Sequence, residues 1–151
     1  MSELGISLAD RSAWAASINR AWPVNTLANV LAEQGEREAS LARAADALQI
    51  ARRFFQASSP DVANRLALAD LLASEQSLLD RAGRFDQAID ACREVLAIRQ
   101  ACLDSVGGRD QRIQRVDAGT DLGARLARAG AWQQAIEVLA AAELAAVELG
   151  D

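Results

Sequence analysis

Apolar residues recur every three or four positions along almost the whole chain. Leu41, Ala44, Ala45, Leu48, Ala51 and Phe55 do so in one stretch, Ala88, Ile89, Cys92, Val95 and Leu96 in another, and Ala135, Ile136, Leu139 and Ala142 in a third. This spacing lines one face of an α-helix, and no stretch alternates with period two for long enough to predict a strand. Breaks in the pattern mark the helix ends. Ser58-Ser59-Pro60 is a stop and restart, with serine as cap, proline at the first helical position and Asp61 favourable at the positive end of the helix dipole. Gly107-Gly108 and the isolated Gly35, Gly83 and Gly130 are terminators, because glycine takes the left-handed conformation that closes a helix. Six helices are predicted, over about 8–34, 36–56, 60–82, 85–105, 109–129 and 132–149. Ser7 or Asp10 caps the first. Pro23 makes that helix either one kinked rod or two pieces, and alignment with the uninterrupted helices elsewhere favours the kinked rod.

The turns resemble one another. Arg81-Ala82-Gly83-Arg84-Phe85-Asp86-Gln87-Ala88-Ile89 returns as Arg128-Ala129-Gly130-Ala131-Trp132-Gln133-Gln134-Ala135-Ile136, and more faintly as Glu33-Gln34-Gly35-Glu36-Arg37-Glu38-Ala39-Ser40-Leu41. The glycines are 48 and then 47 residues apart, a spacing that signals a repeat architecture. The expected fold is all-α, an α-solenoid of about three antiparallel helix hairpins in a single domain over 1–151, with repeats near 10–57, 58–106 and 107–151. The small alanines let paired helices approach closely. Phe85 and Trp132 are expected to plug the gaps between neighbouring hairpins, and Phe54-Phe55 to form the junction of the first two.

The Gly-x-aromatic-x-x-Ala-Ile run resembles the tetratricopeptide repeat (TPR). So do Leu122-Gly123 before Gly130 and Leu27-Ala28 before Gly35, where that family carries a Leu-small pair. The middle copy departs from it with Glu75-Gln76, and the first with Arg37 in place of an aromatic and Ser40 in place of alanine. The resemblance spans roughly Pro23 to Glu148. A standard repeat runs about 34 residues; the longer period implies helices of about twenty residues and is similar to long-period arrays of bacterial signalling and defence proteins.

Composition narrows the function. Two prolines in 151 residues, with alanine and leucine in excess of β-branched residues, favour helices around an aliphatic core. All 16 basic residues are arginine and the net charge is −5, which disfavours nucleic acid and anionic membranes as partners. Histidine is absent, removing Ser-His-Asp and Cys-His sites and most zinc and haem ligation. No phosphate-binding loop or metal-ligand spacing occurs, so no enzyme activity, metal or cofactor is expected. Cys92 and Cys102 lie too far apart along one helix to bond to each other and read as buried thiols of a reducing compartment. Without a secretory N-terminus or an apolar run of membrane-span length, the expected location is the cytoplasm.

The resemblance to TPR proteins implies a concave groove lined by the first helix of each hairpin. Carried over from the glycine anchors, its positions are Trp22, Asn25, Asn29, Asp70, Ser77, Asp80, Arg81, Asp117, Thr120 and Arg128. The cations with which the family clamps a C-terminal carboxylate are missing, and Asp117 and Asp121 stand where positive charge would be needed, so a basic protein or peptide is the expected ligand. Trp14 and Trp22 share a helical face and either anchor a partner or pack on the next hairpin, while Arg109, Arg112 and Arg115 read as a solvated strip. The last helix is apolar on more than one face and has no polar cap after it, so self-association through Ala141, Ala142 and Ala145 is expected, giving a homo-oligomer. The leading expectation is a non-catalytic binding scaffold. The alternatives are a sensor closing on a small cationic ligand or signalling peptide around Trp22, Asn29, Asp80 and Arg81, and an inhibitor or immunity-type protein that plugs an enzyme.

Overall fold

Gly35, Gly83 and Gly130 all have left-handed backbones, with φ of +82°, +76° and +82°, in the computed structural model of the chain. At each, the glycine N–H donates to the carbonyl three residues back and the next N–H to the carbonyl five residues back. Around Gly83 these bonds are Gly83 N to Asp80 O at 3.1 Å and Arg84 N to Leu79 O at 2.9 Å. The paired closure satisfies carbonyls that a helix end otherwise leaves open. It also turns the chain within a few residues.

The structure describes the backbone of residues 8–57 and 62–150 and the side chains of residues 20–53 and 62–150. Six helices run in order: α1 (Leu8–Glu33), α2 (Arg37–Ala57), α3 (Val62–Arg81), α4 (Phe85–Val106), α5 (Arg109–Arg128) and α6 (Trp132–Val147). No strand occurs among the described residues. The fold is all-α, with sequential helices packed in pairs. Pro23 lies within the single 26-residue α1, so the first helix is one rod. The side chains of Trp14, Ile18, Phe54 and Phe55, the capping Ser7, and the 58–61 restart lie outside the described residues.

The chain divides into two compact units, Met1–Leu78 and Leu79–Asp151, with the division inside α3. In the first unit α1 packs on α2. Its core joins Ala28 of α1, Ala44 of α2 and Leu78 of α3, with Ala32 and Leu41 against them. Alanines at the seam bring the backbones close, and Ser40 fits there because its hydroxyl donates to Ala28 O at 2.7 Å. That bond explains a serine where alanine was expected: it is as small, and its buried polar atom is satisfied.

In the second unit α4 packs on α5 and α5 on α6. Ile89 and Cys92 of α4, Leu122 and Leu126 of α5 and Ala135 of α6 form the core, flanked by Leu96, Ala127, Ala131 and Val138. Two glycines of α5 set the distance to α6. A Cβ on Gly119 would sit 3.2 Å from Ala142 Cβ, and one on Gly123 would collide with Leu139. Cys92 and Cys102 are free and buried, and burial pushes the Cys92 thiol up to about 11, so it is a neutral apolar group here.

Two expectations change. Phe85 and Trp132 are 60% and 66% exposed: each opens its helix just before the seam that Ala88 and Ala135 close, and the seam is filled without them. The arginine strip of α5 does a structural job. Arg109 Nη1 donates to Leu149 O at 3.1 Å and Arg112 Nη1 to Glu148 O at 3.3 Å, while Arg115 Nε donates to Gln100 Oε1 at 3.0 Å. No basic residue lies in the last turn of α6, so the antiparallel neighbour supplies the cations its negative end favours.

Candidate functional site

Counting from each turn glycine places equivalent residues of the three repeats. The position thirteen before it holds Trp22, Asp70 and Asp117, and the position two before it holds Glu33, Arg81 and Arg128; all six are exposed. Eleven residues are close to three helical turns, so on α5 Asp117 and Arg128 share a face about 16 Å apart. Ser77 and Thr120 are exposed too, but their hydroxyls turn back on their own helices, to Ala73 O at 3.4 Å and Val116 O at 2.9 Å. On α5 the exposed Asp117 carboxylate and Arg128 guanidinium are the groups a ligand would recognise.

The other groove residues are less available. Asn25 is buried. Asn29 is half-buried and donates through Nδ2 to Ser74 Oγ at 3.2 Å and Asn25 O at 2.9 Å, so its amide ties α1 to α3.

Asp80 is half-buried and paired with a residue the sequence reading did not single out. Arg125 Nε donates to Asp80 Oδ2 at 3.0 Å, a second guanidinium nitrogen donates to the same oxygen, and Arg125 Nη1 reaches Asp121 O at 3.3 Å. Burial, the largest single influence, opposes the charge on Arg125, but the Asp80 hydrogen bond together with the charges of Cys92, Asp80 and Asp121 outweighs it and raises its pKa above the ordinary value. The pair borders a cavity of about 370 Å³ lined also by Phe85, Ile89, Arg128 and Ala129. With the Asp80 charge taken up by Arg125, this cavity offers an apolar wall and the Arg128 guanidinium. Asp80 is the one residue of the expected cation-sensing site that lines it. Of the other residues of that expected sensor site, Arg81 belongs to the same unit as Asp80, and Trp22 and Asn29 belong to the first unit.

On α6 the alanines named for self-association are spread around the helix. Ala142 is buried against Gly119 and offers no surface, Ala145 is half-buried and Ala141 is exposed. The exposed apolar stripe is elsewhere on the helix: Trp132, Ile136, Leu139, Leu144 and Val147, at spacings that keep them on one side. Among the described residues no group of His, Cys, Asp and Glu could hold a metal, and no helix is long and apolar enough to cross a membrane.

Hairpins closed by the same glycine turn at a period of 47 or 48 residues define an all-α helical-repeat protein. Residues 24–61 match the sequence profile of the tetratricopeptide repeat family, and the chain is TPR-like. The match covers the end of α1, the Gly35 turn and α2, the copy with the fewest signature residues. No curated protein matches the chain in sequence. Tetratricopeptide repeats in general form non-catalytic scaffolds for protein interaction.

Proposed function

We propose that this chain is a non-catalytic scaffold that holds a protein or peptide against the first helices of its repeats, and that it self-associates through α6. The observation that carries the ligand reading is on α5, where Asp117, thirteen residues before Gly130, and Arg128, two before it, are both exposed on one face. Such a surface favours a peptide with lysine or arginine toward the aspartate and an acidic group or C-terminal carboxylate toward the arginine. Charge complementarity of this kind fixes orientation and partner choice more than raw affinity. Phe85 and Ile89, in the cavity beside Arg128, accept an apolar side chain next to the acidic group.

Selection from a random peptide display library tests the reading. Enriched peptides should carry basic and acidic residues at opposite ends, and the exchange Asp117→Arg with Arg128→Glu should weaken them at least tenfold, about 1.4 kcal/mol, while leaving the fold intact. Recovery of peptides without charge order, or equal binding by the exchanged protein, would overturn it. The self-association reading rests on the exposed apolar stripe of α6, an arrangement that marks contact surfaces. A strictly monomeric mass by light scattering at every concentration would remove it.

A further inference from the structure

The two helix junctions in the core receive the incoming helix on the same two positions. In the first, Leu41 and Ala44 of α2 receive Leu78 of α3. In the second, Ile89 and Cys92 of α4 receive Leu122 and Leu126 of α5. Counted from the turn glycine, the receiving residues are the sixth and ninth after it, and the inserted ones lie eight, five or four before the next glycine. The same receiving positions on α6 are Ile136 and Leu139. Ile136 is 61% exposed, and Leu144 and Val147 continue its stripe at 69% and 61%. The inserting positions on α1 are Leu27, Val30 and Leu31, of which Leu27 and Val30 are 42% and 49% exposed.

Both halves of the junction are therefore present and uncovered on the same chain. We infer that copies of this protein associate head to tail, α1 of one copy seating its Leu27, Val30 and Leu31 face on the Ile136, Leu139, Leu144 and Val147 face of α6 of the next. The occupant is a second copy because the surfaces are the two sides of a contact that the chain already makes within each unit. The α1 side also fits an apolar seat, since neither Leu27 nor Val30 is replaced by a charge, as their equivalents Glu75 and Arg125 are. Such an interface joins two different patches, so each contact leaves one of each patch to meet a further copy; it propagates unless a ring, a reciprocal dimer included, closes it. The inference rests on the reading of α6 as a self-association surface and adds the patch that it meets.

Sedimentation velocity over rising concentration tests it with two variants, Ile136→Glu with Leu144→Glu on α6, and Leu27→Glu with Val30→Glu on α1. The native protein should associate as its concentration rises, and each variant alone should remain monomeric. Mixed in equal amounts, the two variants should form a 1:1 dimer and nothing larger, since the intact α1 of one meets the intact α6 of the other. All the substituted residues are exposed, and unchanged circular dichroism verifies that the variants fold. If the α6 variant disperses the assembly and the α1 variant does not, copies pair α6 to α6: the head-to-tail inference falls and the α6 reading survives. If the native protein is monomeric throughout, both fall. A mixture that stays monomeric also overturns the head-to-tail contact.

Discussion

The Asp80–Arg125 pair occupies a slot that the first junction fills with apolar residues. Asp80 lies three residues before Gly83 and Arg125 five before Gly130; the same positions one junction earlier are Ala32 and Leu78, which belong to one apolar cluster. Two solutions of one packing problem thus coexist in one chain. Asp80→Ala leaves the Arg125 guanidinium, whose side chain is only 15% exposed, without its carboxylate. Breaking a fully buried pair costs about 3–5 kcal/mol and an exposed one less than about 1 kcal/mol. Partial solvation of both partners places this loss at about 1.5–3 kcal/mol. Arg125→Leu should cost less, about 1 kcal/mol, because the more exposed Asp80 carboxylate can rehydrate while leucine buries apolar surface. The double variant recreates the Ala–Leu combination of the first junction. It is expected within about 1 kcal/mol of the native protein, since apolar replacement of a buried ion pair is commonly neutral or stabilising.

Urea denaturation followed by far-UV circular dichroism, run on the native protein, both single variants and the double, completes the cycle. A favourable coupling of at least about 1 kcal/mol should appear. If the double variant loses the sum of the two single losses, the residues do not share a slot and the equivalence of the junctions is refuted. An Asp80→Ala variant as stable as the native protein would show that the pair is held by nothing more than surface charge.

Three further outcomes follow from the same structure. Gly83→Ala, at φ +76° with nothing within 4 Å of the added carbon, should cost only its backbone strain, about 1–2 kcal/mol by urea denaturation, and Gly83→Asn should recover part of it. Leu126→Ala, at 2% exposure among Ile89, Cys92, Leu122 and Ala135, should lose about 2–5 kcal/mol, whereas Leu144→Ala on the exposed stripe should change monomer stability by less than about 0.5 kcal/mol. The thiol of Cys92 is held near 11 against 9.0 when unfolded; the unfolded chain therefore releases its proton first, and stability falls as pH rises from about 9 towards 11. Cys92→Ala should flatten that slope in a pH series of melts, and the native thiol should resist iodoacetamide at pH 8 until urea unfolds the chain.

Helix number, type and ends were readable because each depends on residues close in sequence. Glycine spacing and the 3.6-residue period place the ends of α4 and α5 within a residue of the observed ones, and the repeat alignment resolves Pro23 into one helix. The misplacements share a cause. α6 is apolar on two sides, and periodicity alone does not say which side meets α5; the glycines at 119 and 123, opposite Ala142 and Leu139, are the signal that decides it. Alanine costs little whether buried or exposed, so the run 140–142 carried no information about which of its members faces outward. Phe85 and Trp132 look like plugs because large apolar residues usually bury, yet their place at the first residue of a helix leaves them outside the seam. The partners of Asp80, Arg109 and Arg112 lie between 36 and 45 residues away, beyond the reach of local pattern.

The junctions differ where it matters for order. At the positions eight and five before the glycine, the first junction has Glu75 and Leu78, and the second has Leu122 and Arg125. Each therefore carries one apolar anchor and one charge, in opposite order. Glu75 lines a cavity of about 460 Å³ with Arg52 and Arg53 of α2, and Arg125 meets Asp80. A helix with the pattern of α5 placed on α2 would set its arginine where Leu78 sits, against the apolar Ala28 and Ala44, and it would leave Asp80 without its partner. Buried charge adds little to stability and can specify register; here the reversed order makes the two seats non-interchangeable, so the repeats dock in sequence. On α1 both positions are apolar, with Leu27 and Val30, and no charge restricts what that helix meets. The same comparison bears on the proposed assembly: α1 and α6 carry the two unfilled sides of such a junction, and the paired charge variants test whether copies fill them.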